Sequence, residues 1–195
     1  MKELISQHIQ RSINAKQDIL QDDAFLARID QAITLCVESI QQGGKILFAG
    51  NGGSASDAQH LAAELVGRYK SDRPSIAGLA LTTDTSALTA IGNDYGYEEV
   101  FSRQLEGLGR EGDVLIAIST SGNSKNIIRA ISVARDKGVK VIGLSGAGGQ
   151  LKELADICLA VPAPLTASIQ EAHIMLGHII CAGLEQSLYP ELCQH

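Results

Sequence analysis

The chain has 195 residues, with 22 acidic side chains against 16 Lys and Arg, a formal charge of −6. That length fits one domain with a sizeable core, and 45% hydrophobic against 19% charged residues excludes a disordered chain. The acidic balance argues against a protein that coats nucleic acid, no apolar run reaches the roughly 18 residues of a membrane span, and the polar, amphipathic start MKELISQHIQ does not read as a signal peptide.

The first 42 residues have helical spacing, with Leu4, Ile5, His8 and Ile9, then Leu26, Ile29, Ile33, Val37 and Ile40. Asp22 and Asp23 mark a break and a new helix start between the two sets. Short apolar runs follow at 45–49, 76–81, 113–118, 140–144 and 157–161. They are continuous rather than alternating, as strands of a parallel sheet covered on both faces are. Segments of helical length lie between them at 54–69, 85–108, 124–137 and 150–155, and a final helix is predicted over 166–188. This alternation predicts an α/β fold: a doubly wound parallel sheet flanked by helices, in one domain over 1–195 with an N-terminal helical segment over 1–42. Cys36, Cys158, Cys181 and Cys193 form no CxxC pair, so neither a zinc ribbon nor a disulfide framework is expected, and the compartment is a reducing cytoplasm.

Ligands of such sheets bind beyond the carboxyl ends of the strands. After the first strand comes Gly50-Asn51-Gly52-Gly53-Ser54, and after the third Ser119-Thr120-Ser121-Gly122-Asn123-Ser124. Small residues ahead of a helix expose backbone N–H groups where the helix dipole favours an anion. Hydroxyl and amide donors without Lys suit the phosphate monoester of a sugar, and neither GxxxxGK[ST] nor GxGxxG is present for a nucleotide. The first loop alone reads equally as a tight turn with a Ser helix cap, whereas two such loops at neighbouring strand ends favour an anion site.

His60 and Glu64 are one turn apart on one face of the helix that leaves the first loop. Imidazole and carboxylate at that spacing clamp a divalent metal, share proton-transfer work, or simply form a surface pair. Asp57 is placed to orient the His60 ring, and His173 reads as a satisfied helix histidine. Gln170 and His178 are about 80° apart around their helix and about 12 Å along it. They meet one metal only if both stretch, or if the ligands come from two subunits.

Together the loops resemble the sugar isomerase (SIS) domain, whose hallmark is an STSGNS-type loop. GNGGSASDAQHLAAEL at 50–65, GND at 92–94, GREGDVLIAISTSGNS at 109–124 and IQEAHIMLGH at 169–178 resemble the phosphoheptose isomerase family within it. The resemblance spans nearly the whole chain. It implies a five-stranded, flavodoxin-like sheet and a homotetramer with active sites at subunit interfaces. It also implies conversion of sedoheptulose 7-phosphate to D-glycero-D-manno-heptose 7-phosphate, the first step toward ADP-heptose and lipopolysaccharide heptose. Matched onto this sequence, the zinc ligands are His60, Glu64, Gln170 and His178, and the acid–base pair is Glu64 and His178. The matched substrate contacts are Asn51, Gly52, Gly53, Ser54, Glu64, Asn93, Asp94, Ser119, Thr120, Ser121, Ser124 and Gln170. The chain departs from the pattern at Ser168, where many members carry Arg.

The same residues suit the chemistry. Moving a carbonyl between C2 and C1 of a sugar needs a proton taken from the neighbouring carbon and protons moved between oxygens, tasks for a carboxylate and an imidazole. A Zn²⁺ beside those oxygens acts as a Lewis acid, although a zinc-bound carboxylate is a weaker base. The competing reading is a non-catalytic SIS scaffold that binds the bacterial replication initiator. Leu188-Tyr189-Pro190 and Ala58-Gln59-His60 resemble that relative, but it lacks the acid found here at Glu64. A phosphosugar-sensing regulatory module lacks the basic DNA-binding segment it needs, and hexose or pentose phosphate isomerases are separated only by resemblance. No nucleic acid or membrane partner is expected.

Overall fold

The five apolar runs become the strands of one parallel sheet. In the computed structural model, which describes residues 1–193, these are β1 (Ile46–Gly50), β2 (Gly78–Ala80), β3 (Val114–Ser119), β4 (Lys140–Gly146) and β5 (Ile157–Val161), in the order β2-β1-β3-β4-β5. Every position of β1 and β3 is buried, which is why their sequence does not alternate. The order in which strands are added reverses between β1 and β3, where the chain has gone out to β2 and returns to the other side, and there the sheet leaves a crevice for a ligand.

Successive strand residues point to opposite faces. Ile46, Phe48, Ile116 and Leu144 pack under α1 (Lys2–Gln21), α2 (Asp23–Gln41), α3 (Gly53–Val66) and α8 (Thr166–Leu188). Leu47, Ala49, Leu115 and Val141 face α5 (Ser102–Leu108), α6 (Lys125–Asp136) and α7 (Leu151–Leu154). The break at Asp22–Asp23 is real: the Asp22 carboxylate accepts a hydrogen bond from Phe25 N at 2.9 Å and caps α2. No helix among the described residues is long and apolar enough to cross a membrane.

Three predicted elements change shape. The segment 85–108 is not one helix but α4 (Thr85–Asp94), a 3₁₀ turn at Tyr97–Glu99, and α5. Gly96 between them has φ +93°, a conformation a helix cannot contain and other residues rarely adopt. The second strand shrinks from 76–81 to three residues because it is an edge strand that pairs only with Ile46–Phe48. Ile76 N turns away to bond Leu65 O at 3.0 Å. The helix over 54–69 stops at Val66, where the Arg73 guanidinium takes up the carbonyls of Glu64 and Leu65.

His173 is only half satisfied. It is fully buried, Nε2 lies 3.1 Å from Ser145 O, and Nδ1 has no partner among the described residues. Burial, outweighing that one bond, pushes its pKa down from the ordinary 6.5 to about 4. The native imidazole therefore stays neutral over a range in which the unfolded one is charged. Its contribution to stability is intact above about pH 6.5 and falls between there and about pH 4, at up to about 1.4 kcal/mol per pH unit. Urea unfolding at pH 7 and pH 4.5 will show this loss, and His173→Phe will flatten it. An unchanged slope in the variant would assign the acid lability to other groups.

Candidate active site

The two small-residue loops lie side by side at the carboxyl ends of β1 and β3. After β1, Asn51 and Gly52 lead into α3, with Gly53 at its first position and Ser54 buried at its second. Gly53 makes a close approach to α8: a Cβ there would lie 2.6 Å from Gln170 Nε2 and displace the end of that side chain. Gln170, on α8, thus reaches the first turn of α3. After β3, Ser119 is buried and its hydroxyl lies 2.9 Å from that of Ser124, the residue preceding α6, and 3.5 Å from that of Ser121. Ser121 Oγ also accepts from Asn123 N at 3.2 Å. With Thr120 between them, these hydroxyls cluster at the first turn of α6, where unpaired N–H groups favour an anion.

The third group sits between α3 and α8. These helices pack tightly at Gly177, where a Cβ would lie 2.4 Å from Leu61 Cδ1. The neighbours of that contact, His60 and His178, consequently meet, with Nε2 to Nε2 at 2.9 Å. Glu64 Oε1 is 3.3 Å from His60 Nε2, and one ligand atom from each of the three lies within 4.8 Å of the others. A tetrahedral metal with bonds of about 2.0–2.1 Å holds its ligand atoms about 3.3 Å apart. Two imidazole nitrogens and a carboxylate oxygen converging at these separations fit a divalent transition metal. The His60 side chain is half exposed and that of Glu64 is 21% exposed, so the site opens to the surface. Burial raises the Asp57 carboxyl above its ordinary pKa, partly offset by His60 and His178. Among the described residues no hydrogen bond joins Asp57 to His60, so it does not orient the ring as expected.

Asn93 and Asp94 end α4, exposed and bonded side chain to side chain at 2.8 Å. Ser168 is buried near the start of α8 and lines a cavity of about 250 Å³ with Arg11, Asn14 and Asp18 of α1.

Two further residues escaped the sequence reading. The buried Asn126 exchanges two hydrogen bonds with the Asn51 amide, at 2.9 and 2.8 Å, and the Tyr97 hydroxyl donates to Asn51 Oδ1 at 3.0 Å. Together they fix which way the Asn51 amide points and leave one of its N–H bonds for a ligand. Ion pairs Lys125–Glu98 and Arg129–Glu99 hold the Tyr97 turn onto α6. An Asn two residues after the serine loop was the available signal, but nothing in the sequence pairs it with position 51.

Comparison with known proteins agrees with this architecture. The SIS domain family model matches residues 8–146. The phosphoheptose isomerase of Aneurinibacillus thermoaerophilus is 56% identical over 190 residues, 97% of this chain and 96% of that protein. That of Sulfurimonas denitrificans is 54% identical, over 97% of each. Among solved structures, phosphoheptose isomerase from Neisseria gonorrhoeae matches with a TM-score of 0.89 at 47% identity, covering 95% of this chain and 98% of that one. The enzyme from Francisella tularensis gives 0.90 at 38%, covering 94% and 97%.

Proposed function

Because this chain belongs to the phosphoheptose isomerase branch of the SIS domain family, we propose that it interconverts sedoheptulose 7-phosphate and D-glycero-D-manno-heptose 7-phosphate, with the product feeding ADP-heptose and lipopolysaccharide heptose synthesis. The observation that carries the reading is the convergence of His60, Glu64 and His178 beside two phosphate-type loops at the sheet's crevice.

The hydroxyls of Ser119, Thr120, Ser121 and Ser124 and the first turn of α6 bind the phosphate. Asn51, Gly52, Gly53 and Ser54 line the path from there toward α3. Anchoring one end of a flexible sugar holds its reacting carbons against Glu64 and raises the effective concentration of the base. Glu64 Oε takes the proton from the carbon beside the carbonyl and returns it to the adjacent carbon. His178 Nε2 moves a proton between the two oxygens. His60, Glu64 and His178, with Gln170 as the fourth ligand, would hold Zn²⁺, which would supply Lewis-acid stabilisation of the charge that builds on the sugar oxygens. The two oxygens of the carboxylate would let Glu64 serve both as a ligand and as the base.

The enzyme works in the cytoplasm as a homotetramer with interfacial active sites. Two features support the assembly: the open trio, and Ile5, Ile9 and Ile13 exposed along α1. The scaffold reading rests only on the resemblance of Ala58-Gln59-His60 and Leu188-Tyr189-Pro190, and leaves the acid at Glu64 without a role. Incubation with sedoheptulose 7-phosphate and chromatographic resolution of the product will yield the aldose isomer, and light scattering will give four chains. Turnover of pentose or hexose phosphates in preference to the heptose would reassign the substrate, and a monomer would remove the interfacial site.

A further inference from the structure

Residues 67–77, which follow α3, have no regular secondary structure, yet a fully buried ion pair holds their first half. The Arg73 side chain is 0% exposed and that of Glu185, on α8, is 3% exposed, with Arg73 Nε donating to Glu185 Oε1 at 3.0 Å. The carboxylate also accepts Tyr69 N at 2.8 Å, and Lys70 N and Ser71 N at 3.1 Å each. The other end of the guanidinium donates to Glu64 O at 2.8 Å, Leu65 O at 2.7 Å and Pro74 O at 3.0 Å. A buried ion pair contributes little net stability compared with apolar residues of the same volume. What this one does is geometric, because it spans the two helices that carry the site.

Both ends of the clamp reach the site directly. Arg73 holds the backbone carbonyl of Glu64 itself. Glu185 lies seven residues beyond His178, two helical turns away on the same face. The turn it holds presents Tyr69, whose ring stacks on His178 with centroids 5.4 Å apart and planes at 28°. We propose that Arg73, Glu185 and Tyr69 are positioning residues that set Glu64 and His178 in register, one through its backbone and the other through its ring. This rests on the reading of Glu64 and His178 as metal ligands and acid–base pair.

The test compares Tyr69→Ala, Tyr69→Phe and Glu185→Gln with the unmodified protein. Zinc affinity is read by competition with a chelating indicator, kcat and KM with sedoheptulose 7-phosphate, and Tm by melting. Tyr69→Ala removes no buried charge and leaves the clamp in place, so it reports even if Glu185→Gln does not fold. Tyr69→Ala should weaken zinc binding by about 10–100-fold, the usual effect of losing a residue that orients a ligand. It should lower kcat more than it raises KM, and Tyr69→Phe, which keeps the ring, should restore both. Ile131→Ala, a cavity in the buried layer on the opposite face of the sheet, should lower Tm and leave zinc affinity unchanged. Wild-type zinc affinity and kcat in Tyr69→Ala would overturn the proposal, as would an equal loss in Ile131→Ala. Unmodified protein that binds no zinc and turns over no heptose phosphate would instead overturn the site reading beneath it.

Discussion

Removal of divalent metal from the purified enzyme will abolish turnover, and added Zn²⁺ will restore it. The expectation comes from the trio rather than from any one residue. Two Nε2 atoms 2.9 Å apart either share one proton or point their lone pairs at a common cation, and the carboxylate oxygen 3.3 Å from His60 gives such a cation its third donor. Lewis-acid stabilisation of developing oxygen charge is worth several kcal/mol, so the loss should exceed about 10²-fold in kcat. His60 is closest to both other members, and His60→Ala should cost zinc affinity as well as rate. The measurement is kcat after dialysis against a chelator, with metal content followed by elemental analysis and zinc titrated back. Full activity in metal-free protein would take the ion out of the reaction and leave the trio as a proton-transfer site.

Most of the fold could be read from the sequence because its signals are local. Five continuous apolar runs gave five parallel strands, and the Asp22–Asp23 pair gave a capped helix start. The misses are places where distant contacts decide. Edge position shortens β2, and Arg73, eight residues beyond Leu65, ends α3 by bonding its carbonyls. Gly96 could have signalled the break within 85–108, but an isolated Gly is also tolerated in helices. At the site, spacing on α3 placed His60 with Glu64, whereas Gln170 and His178 could not be resolved by helical geometry alone. Gln170 reaches the backbone of Gly53, and His178 reaches His60 within one chain because Gly177 lets α8 close on Leu61. Asn126, Tyr97 and Tyr69 act through partners 46 to 109 positions away, a separation that no local pattern encodes.

Glu64→Gln tests the chemistry most directly, because Gln keeps the size and one oxygen of Glu but cannot accept the proton. The side chain is partly exposed and its neighbour on the face is His60, so the substitution should leave the packing of α3 unchanged and the protein folded. The phosphate loops follow β1 and β3, and Glu64 lies about three turns further along α3 than Gly53, so sugar phosphate should still bind. Removing a general base costs about 10²–10⁴-fold, and losing a negative ligand beside the metal adds to that. We expect kcat to fall by at least about 10²-fold with KM little altered, the pattern of an interaction made only in the transition state. In deuterated water the unmodified enzyme should place deuterium on the sugar's C1 or C2, because the abstracted proton exchanges on the carboxylate, and Glu64→Gln should not. His178→Ala should also lose net isomerisation. It should keep some carbon exchange, since it removes the oxygen-to-oxygen transfer and leaves the base. Normal turnover by Glu64→Gln would show that another group is the base. Carbon exchange that survives in Glu64→Gln but disappears in His178→Ala would exchange the two roles.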